Sequence, residues 1–110
     1  MAHPDQDQVF IAEAIRVTTV VNSTESISGE FEAKTIVIYN GLDQSVAIQL
    51  QGCLGDGNYI DIGDPFNVAA GIKDYETVTD YFPCYRITAQ CTPTAPTTGT
   101  LDVWVLKTGG

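Results

Sequence analysis

The sequence predicts an all-β fold, an antiparallel β-sandwich of jelly-roll type with about eight strands. Three observations carry this. Val46, Ile48 and Leu50 alternate with Ala47, Gln49 and Gln51, a period of two that makes one strand face apolar and the other small or polar. Turn residues punctuate positions 35–71 at short intervals: Asn40-Gly41, Gly55-Asp56-Gly57-Asn58 and Gly63-Asp64-Pro65, all suited to positive φ or fixed turns. Strand-like runs then recur about every ten residues along the chain, which leaves almost no room for helix.

The elements follow in order. Residues 1–9 are polar and read as an N-terminal arm. Residues 10–107 form one domain, and 108–110 a tail, as a chain of 110 residues implies. Gln8 to Val21 reads as extended, because Val17, Thr18, Thr19, Val20 and Val21 are β-branched. Residues 22–26 form a loop containing the triplet Asn22-Ser23-Thr24, with no other sign of export. Residues 27–31 alternate as a strand, and 35–39 form a central strand with both faces apolar. Residues 46–51, 59–62, 66–70 and 74–79 follow as strands. Tyr81-Phe82-Pro83 breaks the pattern, since proline cannot donate to a ladder. Tyr85, Ile87, Ala89 and Cys91 then share a face. A Pro/Thr-rich loop spans 92–100. In the last strand, 101–106, Val103 and Val105 point inward and Trp104 occupies the opposite face.

Composition excludes several functions. The chain carries 14 acidic and 5 basic residues, a net charge of −9. Phosphate recognition requires a Lys/Arg footprint, so nucleic acid is not an expected partner. The same charge disfavours an anionic membrane surface. No run reaches the roughly 18 apolar residues of a membrane span. The start MAHPDQDQVF lacks the basic and apolar regions of a signal peptide.

Cys53, Cys84 and Cys91 include no CxxC pair and match no metal-ligand spacing. Cys84 and Cys91 share a strand, where seven residues at about 3.3 Å each hold them beyond disulfide reach. Free buried thiols are the expectation, and a bridge from Cys53 to either partner is the alternative.

No catalytic constellation is legible, so an enzyme is not expected. The sole histidine, His3, lies in the arm, where nothing would hold it as a general base. Asp56, Asn58, Asp61 and Asp64 cluster in GDGNYIDIGD. Hard oxygen ligands on turns suit Ca²⁺, but the string lacks the order of an EF-hand, and turn Asp and Asn usually bond their own backbone. Turn chemistry is the stronger expectation, calcium the weaker, and no other cofactor is implied. Tyr59, Tyr81, Phe82 and Trp104 are the candidate interface or ligand residues, since exposed aromatics stack on sugars or anchor protein contacts.

The block spanning residues 35–107 resembles small β-sandwich proteins encoded among phage virion genes, with related sequences among bacterial surface or coat components. The matching residues are Asn40-Gly41, VAIQLQG from Val46 to Gly52, Asp56-Gly57-Asn58-Tyr59, VAAG ending at Gly71, Pro83 with Tyr85-Arg86-Ile87-Thr88, and LDVWVLK from Leu101 to Lys107. The Asp-Gly-x-aromatic loop and the Tyr-Arg-Ile strand are also similar to discoidin-type jelly rolls, which bind sugars or lipids. Those carry Ser-Asn-Asp-Gly and a tryptophan, where this chain has Leu54-Gly55-Asp56-Gly57 and Tyr59. The resemblance implies a structural virion protein, a capsid decoration or head-fibre component. Its expected partners are further copies of itself, in a trimer, and a major capsid or other virion protein. The implied location is the virion, assembled in the host cytoplasm, with the cell surface as the alternative. A carbohydrate-binding module is the second functional expectation.

Overall fold

In the computed structural model, the described residues are 5–27, 33–54, 57–78 and 82–108. They form nine strands: β1 (Asp5–Glu13), β2 (Val21–Asn22), β3 (Ser26–Ile27), β4 (Ala33–Asn40), β5 (Val46–Cys53), β6 (Tyr59–Val68), β7 (Lys73–Val78), β8 (Cys84–Gln90) and β9 (Leu101–Thr108). One sheet has the order β1-β9-β4-β7; the other runs β2-β8-β5-β6, with β3 also along β8. Every pairing is antiparallel.

The pairings are nested. β5 pairs with β6, β4 with β7, β2 and β3 with β8, and β1 with β9. The chain is thus one long hairpin folded about the β5–β6 connection, its successive rungs falling alternately in the two sheets. The β4–β9 and β5–β8 pairings then close each sheet. That wrapping is the jelly roll the sequence predicts.

Alternation decides which side chains meet between the sheets. From one sheet come Ile36, Ile38, Leu101, Val103 and Val105; from the other, Val46, Ile48, Leu50, Tyr85, Ile87 and Ala89. All are buried. Truncating any of the large aliphatics here would cost about 2–5 kcal/mol, the range for a cavity left in a core. The same parity carries Lys34 and Lys107 inward, directly opposite each other on β4 and β9. The Lys34 ammonium lies 4.8 Å above the Tyr85 ring, where the ring face attracts a cation.

Asn40 closes one end of the sandwich. Its side chain is fully buried. Nδ2 donates to the carbonyls of Gln44 and Val68, both at 2.9 Å, and Oδ1 accepts from the Leu42 amide at 3.1 Å. One side chain therefore fixes the β4–β5 turn and the end of β6. Gly41 follows because a Cβ there would lie 2.8 Å from the Thr100 carbonyl oxygen. Asp43, in the same turn, accepts from the Thr97 hydroxyl at 2.6 Å and the Thr97 amide at 2.9 Å, tying the Pro/Thr-rich loop to the turn.

Three expectations are corrected. Residues 5–9 of the predicted arm belong to β1 and run along β9. The stretch 14–20 is not strand: it crosses between sheets, with Val17 and Val20 exposed, so its β-branched residues have no neighbour to pair with. Of the strand predicted at 27–31, Ile27 lies in β3, and 28–31 lie outside the described residues. Gly63-Asp64-Pro65 is not a turn between strands but a bulge within β6. Between the pairs Leu50–Ile62 and Ile48–Phe66, β5 advances two residues while β6 advances four. Gly63 takes φ 69°, and the Gln49 side chain donates to the carbonyls of Ile62 and Gly63. Pro65 is tolerated because β6 is an edge strand and the bulge needs no amide there.

Two outcomes are expected. Asn40→Ala leaves the Leu42 amide and two carbonyls without their partner, and urea unfolding should show a loss of about 3 kcal/mol. The second concerns pH. The Thr97 hydroxyl, then the Thr97 amide, hold the Asp43 carboxyl below its ordinary value of 3.8. A depressed folded-state value gives stability that is complete above the unfolded value and lost as pH falls through the folded one. Thr97→Val should therefore flatten the acid limb of the stability–pH curve below about 3.8, measured by thermal unfolding across that range.

Candidate functional site

The two outer sheet faces differ in chemistry. On the five-stranded sheet the alternation leaves Gln49, Gln51, Arg86, Thr88 and Gln90 facing outward. Arg86 donates to Gln51 at 2.7 Å and Gln51 donates to Asp61 at 2.8 Å, a polar ladder across β8, β5 and β6. On the four-stranded sheet the outward row is Tyr75 on β7, Val37 on β4, Trp104 on β9 and Gln8 on β1, set by cross-strand register. The adjacent rows add Tyr39 and Leu106. Tyr75 is 66 % exposed and Tyr39 39 %, while Val37, Trp104 and Leu106 are half-buried. Lys73 lies 5.1 Å over the Tyr39 ring. This outward aromatic and aliphatic row is the candidate interface of the molecule.

The two lateral sides of the sandwich differ in how the sheets meet. On the β1–β2 side the Thr24 amide and hydroxyl both bond to the Val9 carbonyl, at 3.3 and 3.2 Å. β1 is bulged there, with Ala12 at φ 47° and its amide donating to Asp102 at 2.8 Å. On the other side a groove runs between edge strands β6 and β7. Leu50, Ile62, Phe66 and Val78 form its floor, with Asp64 and Glu76 beside them. Those carboxylates, with the proline bulge of β6, guard both edges against pairing with another strand.

The sequence-predicted site residues separate. Trp104 lies on the outer face, half-buried beside Val37. Tyr59 does not offer a free ring: Arg86 stacks on it with Cζ 3.5 Å from the centroid. Its phenol is pushed up, first by partial burial and next by the hydrogen bond to Glu25. Phe82 is not an exposed anchor. It packs half-buried against the core, edge-on to Tyr85 at 5.9 Å, over Gly52, where a Cβ would meet the ring at 2.6 Å. Tyr81, Asp56 and His3 lie outside the described residues. Of the remaining calcium candidates, Asp61 is taken up by Gln51, Asp64 sits on the β6 bulge beside the groove, and Asn58 accepts from the Leu54 amide through its backbone carbonyl.

The cysteines also depart from expectation. Cys53 and Cys84 are direct cross-strand partners on β5 and β8, joined as a disulfide with Cα atoms 5.1 Å apart. Cys91 remains free and buried, and burial, then the charge of Asp43, pushes its thiol up. Glu25, just before β3, places Oε2 3.2 Å from Cys53 Sγ and 3.3 Å from Cys84 Sγ. Sequence reasoning missed this group, because it depends on a register between strands far apart in the chain. It missed Tyr39 and Tyr75 too, although their parity with Val37 was available once β4 and β7 were paired.

No protein-family model matches the chain, and no curated protein matches it. Among solved structures, a crystal structure of PirA aligns over 96 % of this chain and 94 % of its own, at 14 % identity and TM-score 0.56. A structure of infectious bursal disease virus, Gx strain, aligns over 99 % of this chain and 34 % of its own, at 11 % identity and TM-score 0.47. At such identities the likeness to PirA concerns fold alone. No helix among the described residues is long and apolar enough to cross a membrane.

Proposed function

We propose that this protein is a structural component of a virion, a capsid decoration or head-fibre protein that works by self-association and by binding a capsid surface. The observation that carries this reading is the asymmetry of the sandwich. Tyr75, Val37 and Trp104 form an apolar row on one sheet, with Tyr39 and Leu106 in the rows beside it, while the other sheet is covered by glutamine, threonine and charge. Outward-facing aromatic residues grouped with aliphatic ones are the composition of a protein contact rather than of a solvated surface. The resemblance of residues 35–107 to phage virion sandwiches supports the same reading.

Face packing is favoured over edge pairing. Edge strands β6 and β7 carry Asp61, Asp64, Asp74 and Glu76, so strand-to-strand addition would bring like charges together in a chain of net charge −9. Stacking sheet on sheet keeps those carboxylates in water and buries the aromatic row. The opposite, hydrophilic face would then point outward and keep the assembly soluble.

Light scattering coupled to size exclusion tests this. The wild-type chain should form a discrete homo-oligomer, a trimer on this account. Tyr75→Asp should dissociate it while changing unfolding stability by no more than about 0.5 kcal/mol, as for an exposed position. A wild type that stays monomeric at high concentration, with saturable oligosaccharide binding lost in Tyr75→Ala, would replace the assembly reading by a carbohydrate-binding one.

A further inference from the structure

One end of the five-stranded sheet gathers a second constellation, on the face away from the aromatic row. Strand register places Ile27, Cys84, Cys53 and Tyr59 side by side across β3, β8, β5 and β6. Glu25, two residues before Ile27, reaches over the two sulfurs. Its carboxylate oxygen and both Sγ atoms all lie within 4.8 Å of one another. Both cysteines are buried and Glu25 is exposed, so the group opens to solvent on one side.

We propose that, with its cysteines reduced, this group binds a borderline-soft divalent cation of the zinc class through Cys53, Cys84 and Glu25. The argument rests on donor type, spacing and support. Two thiolates and a carboxylate form a ligand set that zinc accepts, and tetrahedral zinc with bonds of about 2.3 Å to sulfur sets its thiolates about 3.8 Å apart. Directly opposed cysteines on antiparallel strands reach that separation by side-chain rotation alone. The carboxylate is also placed for it. One oxygen stands at nearly equal distance from both sulfurs, 3.2 and 3.3 Å. A disulfide has no proton to give that oxygen, whereas two thiols or a shared cation would each satisfy it.

The surroundings support the ligands. Tyr59, the cross-strand partner of Cys53, stands beside Glu25, whose carboxylate acts on its phenol; outer residues so placed commonly orient ligands at metal centres. Arg86, stacked on Tyr59, adds a positive charge. With two thiolates, one carboxylate, one arginine and a divalent ion, the local charge sums to zero. A water completes the fourth position on the exposed side.

Loading needs two balanced steps. A dithiol reductant transfers two electrons and two protons to the Cys53–Cys84 bridge, giving two thiols and the oxidised dithiol. The cation then displaces one proton from each thiol, and two protons leave to solvent. Bridge and cation are mutually exclusive, so the site exists only under reducing conditions.

The test is titration of the fully reduced, folded protein with Co²⁺ and then Zn²⁺, read by thiolate-to-cobalt absorption and by competition with a chromophoric chelator. One equivalent should bind with sulfur-to-metal absorption, and the oxidised protein should bind none. Cys53→Ser and Cys84→Ser should each weaken binding by about 100-fold or more, and Glu25→Gln and Tyr59→Phe by about 10-fold or more. Cys91→Ser should leave it unchanged. Glu25→Gln and Tyr59→Phe alter partly or wholly exposed side chains, so they keep the test informative should a cysteine variant fail to fold. Absence of stoichiometric binding by the reduced protein would overturn the proposal, as would affinity unaffected by Glu25→Gln or dependent on Cys91. Neither result bears on self-association, which uses the other sheet.

Discussion

The molecule depends on the contact between two central strand pairs, β4–β9 and β5–β8. Their inward faces bring Ile36, Ile38, Leu101, Val103 and Val105 against Val46, Ile48, Ile87 and Ala89. Each of these strands is flanked on both sides by others, so the backbone groups here are paired within the sheets while the side chains are removed from water. The nested hairpin follows from this. Once β5 finds β6 and β4 finds β7, the C-terminal β8 and β9 have one way to cover both central strands with apolar faces inward. Asn40 fixes where that wrapping begins, through three side-chain hydrogen bonds at the first tight turn.

Much of this was legible in the sequence because alternation and turn chemistry are local. The period-two runs at 46–51 and 101–106 matched their strands, and Asn40-Gly41 marked a true turn. The inward parity of Val103 and Val105, and with it the outward position of Trp104, could be read from six residues. What failed was non-local. Gly63-Asp64-Pro65 has the composition of a turn, yet β5 pairs on both sides of it, so it bulges. Val17 and Val20 have strand propensity without a sheet to join. Phe82 was expected at the surface, but Gly52 on the neighbouring strand leaves a hollow that the ring fills. The Cys53–Cys84 pairing required knowing that β8 lies beside β5, which no spacing along the chain reveals.

The candidate surfaces show the same division. Trp104 could be named from its own strand, whereas Tyr75 and Tyr39 become neighbours of Trp104 only through the β7-β4-β9 order. The face is a property of topology acting on ordinary strand residues. It also explains an economy in the charge pattern. Carboxylates concentrate on the edges and loops, where they oppose unwanted strand pairing, and the outer row of the four-stranded sheet is left nearly free of them. A wide apolar face beside guarded edges favours one mode of contact over the other.

The most direct test of that claim is hydroxyl-radical footprinting of the protein at low and at high concentration, read residue by residue. The account predicts that Tyr75, Tyr39 and Trp104 become protected as concentration rises, while Tyr59 and the glutamine-rich face keep their reactivity. Protection centred on Tyr59 instead, or none at any concentration, would contradict it.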